Sequence, residues 1–161
     1  MSSSVLEEKG RLFHIQKGIR DAFYIWVDWF FRILFFWEHN TKRRGKLVRF
    51  VHQLFMCFVI LWFFLVHSFM PSFLNLCLLF CLCFVLWLHH ILTGGCIVTR
   101  LELKSIGDDY TIIDPFLELF HIPVQKETRI GFTMMVSTFC VVFMGLECLA
   151  RMVAYWNTWF R

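Results

Sequence analysis

Hydrophobic residues in this chain run in three long and nearly uninterrupted stretches. They extend from Phe50 to Met70, from Phe73 to Leu92 and from about Ile130 to Ala154. Each is close to the roughly 20 residues with which a helix crosses the hydrocarbon core of a bilayer. Pro71 and Ser72 leave room only for a turn between the first two stretches. These two therefore predict a transmembrane helical hairpin.

A fourth apolar stretch, from Ala22 to Trp37, differs from these three because it contains Asp28 and Arg32. Polar residues recur before and through it in steps of three, four or seven, which places them on one stripe of a helix. They are Glu7, Arg11, His14, Gly18, Asp21, Asp28 and Arg32. The broader face carries Phe23, Ile25, Trp26, Trp29, Phe30, Ile33, Leu34 and Trp37. This pattern predicts an amphipathic helix lying in the membrane surface. A spanning helix is the alternative, and it requires Asp28 and Arg32 to pair and to face protein.

The pattern as a whole predicts an all-α integral membrane protein with four parts. Residues 1–46 form an N-terminal interfacial amphipathic helix and a basic loop, and residues 47–93 form the transmembrane hairpin. Residues 94–129 form a surface segment on the inside, and residues 130–161 form a long C-terminal transmembrane helix. Within the surface segment, the Gly94-Gly95 pair predicts the end of the second span, and Asp114-Pro115 predicts the start of a short helix.

Charge supports this topology. If the first helix does not cross, all but three of the 16 Lys and Arg residues lie on one side of the membrane, and the positive-inside tendency makes that side the inner one. Five of them are close to the start of the first span and are predicted to face anionic lipid headgroups or a partner: Lys42, Arg43, Arg44, Lys46 and Arg49. A nucleic-acid patch is the less favoured alternative, because the cluster is short and adjoins a span.

Composition agrees with a membrane protein. Apolar residues make up 58% of the chain and charged residues 17%, against roughly 45–50% and about 25% in soluble domains. The seven cysteines are an odd number and lie mostly in the spans, which predicts neither a disulfide framework nor a metal site. The chain lacks the motifs of serine hydrolases, nucleotide-binding loops and zinc proteases, so it is not predicted to be an enzyme. A channel or transporter is disfavoured because three spans offer few polar inward positions.

Polar residues inside the spans are the candidates for chemistry. His52, His89 and His90 should lie at one depth near the inner interface, where two facing histidines can bind haem and polar groups can hold a quinone. Bulky neighbours leave little room for a flat ring, so the main prediction is no cofactor, with haem or quinone as the alternative. Glu147 and Arg151 are one helical turn apart and are predicted to pair. Alternatively, Glu147 faces a neighbouring protein or a proton path.

A motif follows the second span. His89-His90, then Cys96-Ile-Val-Thr99-Arg-Leu101-Glu102, resembles the H…C-x-L-T-x-L-E signature of small multi-pass membrane proteins of large DNA viruses. A bacterial family of small membrane proteins carries a similar C-P-L-T-x-L-E. This chain has Ile where the bacterial family has Pro, and Val where Leu is usual. The local spacing predicts a helix start, with Thr99 as the cap and Glu102 as the capping-box acid. The alternative is that the motif contacts a ligand or cofactor.

These features predict a structural component of a large assembly. The resemblance implies an internal-membrane protein of a large icosahedral DNA virus that links lipid to capsid, with other subunits of the membrane or capsid assembly and anionic lipids as partners. Nucleic acid is not an expected partner. The alternative is an accessory subunit of a respiratory complex in the mitochondrial inner membrane, with a haem or quinone contact.

Overall fold

The computed structural model describes residues 3–69 and 72–159, with side chains for residues 14–69 and 72–154. This part of the chain is helical and contains no strand, as the sequence predicts. Its helices are α1 (Ser3–Leu34), α2 (Thr41–Ser68), α3 (Phe73–Thr93), α4 (Ile97–Ile106), α5 (Asp114–Leu119) and α6 (Lys126–Trp159). The predicted turn at Pro71 lies outside the described residues.

Three of these helices are long and apolar enough to cross a membrane: Thr41–Ser68, Phe73–Thr93 and Lys126–Ala154. Only 11 to 17% of the most apolar stretch of each is buried inside the protein. Exposure of so many Phe, Leu and Val side chains is unfavourable in water, whereas it is favourable in contact with lipid. The protein is therefore a membrane protein with three candidate spans, in agreement with the hydrophobic pattern.

The helix α2 begins before the apolar stretch does. Asn40 caps it, and the Asn40 side-chain oxygen accepts hydrogen bonds from the backbone N–H groups of Lys42 and Arg43, at 3.0 and 3.1 Å. The prediction of a basic loop up to Lys46 is therefore wrong from Thr41 onward, since these residues form the first turns of α2. The apolar pattern indicates where the lipid-contacting part of α2 begins. The helix itself begins earlier because Asn40 is a strong N-cap.

The short helix α4 packs closely against this first part of α2. Gly45 makes the approach possible: a Cβ atom at this position would lie 2.6 Å from the Cβ of Ser105 and 2.9 Å from the Cγ1 of Ile106. The same region contains the first hydrophobic core, formed by Phe31, Phe35, Val48 and Leu101. We call residues 41–52 of α2, together with α1, α4 and α5, the inner layer, after the side on which the positive-inside tendency predicts it to lie.

A second core lies at the opposite end of the spans. It consists of Val66, Leu76, Leu79 and Met144, all with 0% exposure. These residues join the end of α2, the start of α3 and the middle of α6. The spans thus contact one another firmly at the end remote from α4, while α4 and α1 organise the inner end.

The N-terminal helix α1 runs across the inner ends of the other helices. Gln16 donates a hydrogen bond to the backbone oxygen of Ile91 at 3.1 Å, and farther along the Lys104 ammonium lies 5.0 Å from the Tyr24 ring centre. At its C-terminal end Phe31 enters the first core, and Phe35 follows it there just beyond the helix. Asp28 and Arg32 form an ion pair at 2.8 Å, which is one of the two conditions of the spanning alternative, and the Arg32 side chain is 61% exposed.

We predict that Gly45→Ala destabilises the protein. The added methyl group must displace α4, and overpacking of this kind costs about 1–3 kcal/mol. The control is Gly131→Ala in α6, where a Cβ atom meets nothing within 4 Å and the better helix propensity of Ala adds stability. Thermal unfolding in detergent micelles should show a lower midpoint for Gly45→Ala only. Equal midpoints for the two variants would contradict the close α2–α4 contact.

Candidate functional site

The candidate site begins where α3 ends. Gly94 and Gly95 have φ angles of 63° and 119°, which side chains other than glycine rarely adopt. The Thr93 hydroxyl lies 2.7 Å from the backbone oxygen of His89 and 2.5 Å from that of Gly95. This sharp turn places Cys96 at the N-cap of α4 and directs α4 back along α2.

Three side chains from α2 and α4 meet in a row at this turn. The Nδ1 atom of His52 lies 2.6 Å from the Oε1 atom of Glu102, and the Nε2 atom of His52 lies 3.6 Å from the Sγ atom of Cys96. Glu102 is 4% exposed. Because an ionised carboxylate only accepts hydrogen bonds, His52 donates its Nδ1–H to Glu102 and turns Nε2 towards the sulfur. A thiol, an imidazole and a carboxylate are thus connected in sequence.

The environment of Cys96 favours the thiolate. Burial acts to raise its pKa, but hydrogen bonds from His52 and His90 outweigh burial, and the pKa of the Cys96 thiol lies well below its ordinary value. The backbone N–H of Thr99, in the first turn of α4, acts in the same direction. A helix N-terminus and a neighbouring imidazole are the usual means by which proteins stabilise a thiolate.

The three histidines that are the candidates for a haem or quinone contact occupy different positions. His52 is engaged by Glu102 and Cys96, and His90 adds to the surroundings of the sulfur. The ring of His89 lies 5.9 Å from the ring of Phe23 and 5.6 Å from that of His90. Both ring nitrogens of His52 therefore have partners from the protein. The haem or quinone contact stays a prediction.

Arg49 differs from the other basic residues of its cluster because it binds other parts of the protein. Its guanidinium donates two hydrogen bonds to Asp108, at 2.8 and 3.2 Å, and one to the backbone oxygen of Tyr110 at 3.0 Å. Its Nε atom lies 3.8 Å from Glu102. This guanidinium holds the pKa of the Asp108 carboxyl below its usual value. Arg49 thus joins α2 to the turn after α4, whereas Lys42, Arg43 and Lys46 are exposed and Arg44 is half-buried.

The capping-box interpretation of the motif is wrong. Cys96, rather than Thr99, occupies the N-cap of α4, and Thr99 lies within the helix. Glu102 turns away from the helix start and contacts His52 and Arg49 of α2. Leu101 is buried in the first core. Cys96, Leu101 and Glu102 all contact α2 or the first core, so the motif joins α4 to α2.

A second ionic group, which sequence analysis missed, holds α5 against α6. Asp114 is 1% exposed and accepts hydrogen bonds from the Nε and Nη2 atoms of Arg129, both at 2.7 Å. It also accepts the hydroxyl and the backbone N–H of Thr111, at 2.6 and 2.8 Å. The predicted helix start at Asp114-Pro115 is confirmed, but nothing local in the sequence indicates that Arg129 is the partner.

The polar group at the other end of the spans is larger than predicted. Glu147 and Arg151 form the expected pair, at 2.5 Å. His67 of α2 joins this pair: its Nε2 atom lies 2.7 Å from Glu147, and its Nδ1 atom lies 2.7 Å from the backbone oxygen of Phe63. The Phe63 carbonyl can only accept a hydrogen bond, so Nδ1 of His67 donates to it. The contact between Nε2 and Glu147 then contains one further proton, which belongs either to the imidazole or to the carboxyl group.

Comparison of the chain with protein-family models, with curated proteins and with solved structures gives no match. The viral resemblance of the motif therefore stays a prediction, and functional inference depends on the geometry of the described residues. These residues contain no group of three or more His, Cys, Asp or Glu side chains arranged to hold a metal ion.

We predict that Asp114→Asn destabilises the inner layer. The variant leaves Arg129 without its carboxylate partner, and breaking a buried ion pair costs about 3–5 kcal/mol. The control is Asp109→Asn, because Asp109 is exposed on the neighbouring turn. Thermal unfolding in micelles should give a clearly lower midpoint for Asp114→Asn and an unchanged one for Asp109→Asn. Unchanged midpoints for both would show that the Asp114–Arg129 contact contributes nothing.

The difference in unfolding midpoint between the wild type and Asp114→Asn should also depend on pH. Burial acts to raise the pKa of Asp114, but the hydrogen bonds from Arg129 and Thr111 outweigh it and hold the pKa below its ordinary value. A lowered pKa contributes stability that is fully present above the ordinary Asp pKa of about 3.9 and is lost as the pH falls through the lowered value. The difference in midpoint should be constant from about pH 5 upward and should shrink below about pH 4. A difference that grows on acidification would contradict the assignment.

Proposed function

We propose that the protein is a structural component of a membrane assembly. Three spans anchor it in lipid, and the inner layer presents a fixed surface to a partner. The observation that carries the proposal is an exposed apolar patch on α5 and its C-cap, outside the candidate spans: Phe116, Leu119 and Phe120 are 53, 72 and 63% exposed. Exposed apolar patches of this kind mark contact sites.

The position of α5 is fixed, which suits a docking surface. Asp114 at its first residue is tied to Arg129 of α6, and Leu117 in its middle is fully buried. The apolar patch therefore has the same orientation relative to the membrane in every copy. A rigid surface of this kind binds a partner without first losing conformational entropy.

Membrane attachment of the inner layer is supported by α1. Its contacts run from Gln16, on the end of α3, to Phe35, beside Val48 at the start of α2. This distance is about 28 Å along a helix, and the residues contacted lie at the inner ends of α2 and α3 and in α4. Such contacts favour a helix that lies in the membrane surface. The apolar residues of its predicted broad face are all 40% exposed or more, as lipid contact requires.

Lys42, Arg43 and Lys46 are exposed beside this helix. Each basic residue near an anionic membrane surface adds about 1 kcal/mol of attraction. Anionic lipid headgroups are therefore the proposed ligands of this cluster, and the α5 patch remains for a protein partner. The resemblance of the Cys96–Glu102 motif supports a virion internal membrane as the location, with a capsid protein as the partner.

The accessory respiratory subunit is the second proposal, and the geometry favours it less. Haem or quinone binding would use His52 and His89. Both ring nitrogens of His52 already face Glu102 and Cys96, and His89 lies against Phe23. A cofactor contact would have to displace one of these partners.

Site-specific photo-crosslinking tests the structural proposal. A benzoylphenylalanine residue at Leu119 should give a discrete protein adduct in the membranes where the protein is native, because this position faces the partner. The same residue at Leu146, which is 63% exposed on α6, should give lipid adducts. Asp114→Asn should weaken the Leu119 adduct by releasing α5.

The alternatives are separable in this experiment. Lipid adducts at both positions would mean that α5 dips into the membrane, and the proposed partner surface would be wrong. Capture of a respiratory subunit at Leu119 would replace the viral assignment with the second proposal. A protein adduct at Leu146 as strong as that at Leu119 would contradict the division between a lipid face and a partner face.

A further inference from the structure

The surroundings of Cys96 differ from those of cysteines within the spans. Cys57 and Cys140, for example, lie on spanning helices among apolar side chains, where a thiol behaves as a small hydrophobic group. Cys96 lies instead at a helix N-cap, 3.6 Å from an imidazole that is itself hydrogen-bonded to a buried carboxylate. This arrangement has no evident role in anchoring the protein.

The row of Cys96, His52 and Glu102 has the form of an activated nucleophile. Such sites contain a nucleophile near a base, with the base oriented by a third group, and the first distance is often longer when no substrate is bound. Here the distance from Nδ1 of His52 to Oε1 of Glu102, the third group, is short at 2.6 Å. This contact fixes the His52 ring so that Nε2 faces the sulfur. The lowered pKa of Cys96 is consistent with this role.

The depth of the site indicates a class of substrate. Cys96 is half-buried at the inner end of α3, immediately after the last residues of a candidate span. Leu88, Ile91 and Leu92 on that helix end are 40, 37 and 38% exposed. A long acyl chain lying along these residues would bring its carbonyl carbon to the interfacial depth of the sulfur. A polar substrate or a nucleotide without an acyl chain would not contact these apolar residues.

We propose that Cys96 is a nucleophile that accepts a long-chain acyl group from an acyl thioester at the inner membrane surface, with His52 as the ion-pair partner of its thiolate and as general acid, and with Glu102 as a positioning residue. This inference goes beyond the structural role and does not depend on it. Acylation would add a lipid anchor at the junction between α3 and the inner layer.

The reaction is a thioester exchange in which nothing is oxidised or reduced. The Sγ atom of Cys96 forms a bond to the carbonyl carbon, and the bond from that carbon to the donor sulfur breaks. In the resting pair of thiolate and imidazolium, the Cys96 proton is already on Nε2 of His52, and it passes from there to the departing thiolate. Glu102 accepts the Nδ1–H of His52 throughout and stabilises the imidazolium of the resting pair. The products are S-acyl-Cys96 and a free thiol.

The test uses the full chain in lipid nanodiscs with palmitoyl-coenzyme A as the probe. Intact-mass spectrometry should show one palmitoyl group that hydroxylamine removes, and peptide mapping of the wild type should place it on Cys96. Cys96→Ser should abolish the adduct, whereas Cys57→Ser, at an exposed cysteine, should leave it unchanged. Palmitoylation spread over several cysteines, or unchanged in Cys96→Ser, would overturn the proposal. An adduct that forms equally without palmitoyl-coenzyme A would assign the acyl donor to phospholipid esters and overturn the thioester donor.

The roles of His52 and Glu102 have separate tests. His52→Ala should slow acylation by about 10²-fold or more, the usual contribution of a general acid. Glu102→Gln should move the pH dependence of the rate upward, because an imidazolium without its carboxylate partner is less stable and the thiolate beside it forms at higher pH. Glu102→Asp should restore part of the wild-type profile. If His52→Ala and Glu102→Gln both keep the wild-type pH profile and rate per folded molecule, the row of residues has only a structural role and the proposal is wrong.

Discussion

The buried carboxylate of Glu102 is the constraint on which the inner half of the structure depends. A carboxylate with 4% exposure beside a membrane core is unfavourable by several kcal/mol unless hydrogen bonds and opposite charge surround it. The two groups that meet this need, His52 and Arg49, belong to α2. Glu102 therefore requires α4 to lie against α2, and this contact is possible because Gly45 lets the two backbones approach closely.

Other features of the inner layer follow from this contact. When α4 lies on α2, Leu101 reaches Val48, and Phe31 and Phe35 close the first core from the side of α1. The glycines after α3 provide the reversal of direction that brings Cys96 to His52. Structural order and thiol activation thus arise from one set of residues.

Features that depend on local sequence could be predicted, and features that depend on contacts between helices could not. The spans follow from apolar length, and the start of α5 follows from Asp114-Pro115. Glu102 was misassigned because its three-residue spacing from Thr99 fits a local cap equally well, and the competing partner, His52, is 50 residues away. Gly45 in the basic segment was the overlooked signal of a close helix contact. His67 was missed in the same way, because its partner Glu147 lies on α6.

Nuclear magnetic resonance of the His52 side chain tests the central claim most directly. In nanodiscs containing protein with ¹⁵N-labelled histidine, the account predicts that His52 carries a proton on Nδ1. This proton should be strongly deshielded and slow to exchange because of the 2.6 Å contact with Glu102, and Glu102→Gln should abolish the signal while Asp109→Asn leaves it unchanged. A His52 ring that exchanges its Nδ1 proton freely with water, with no change in Glu102→Gln, would contradict the account.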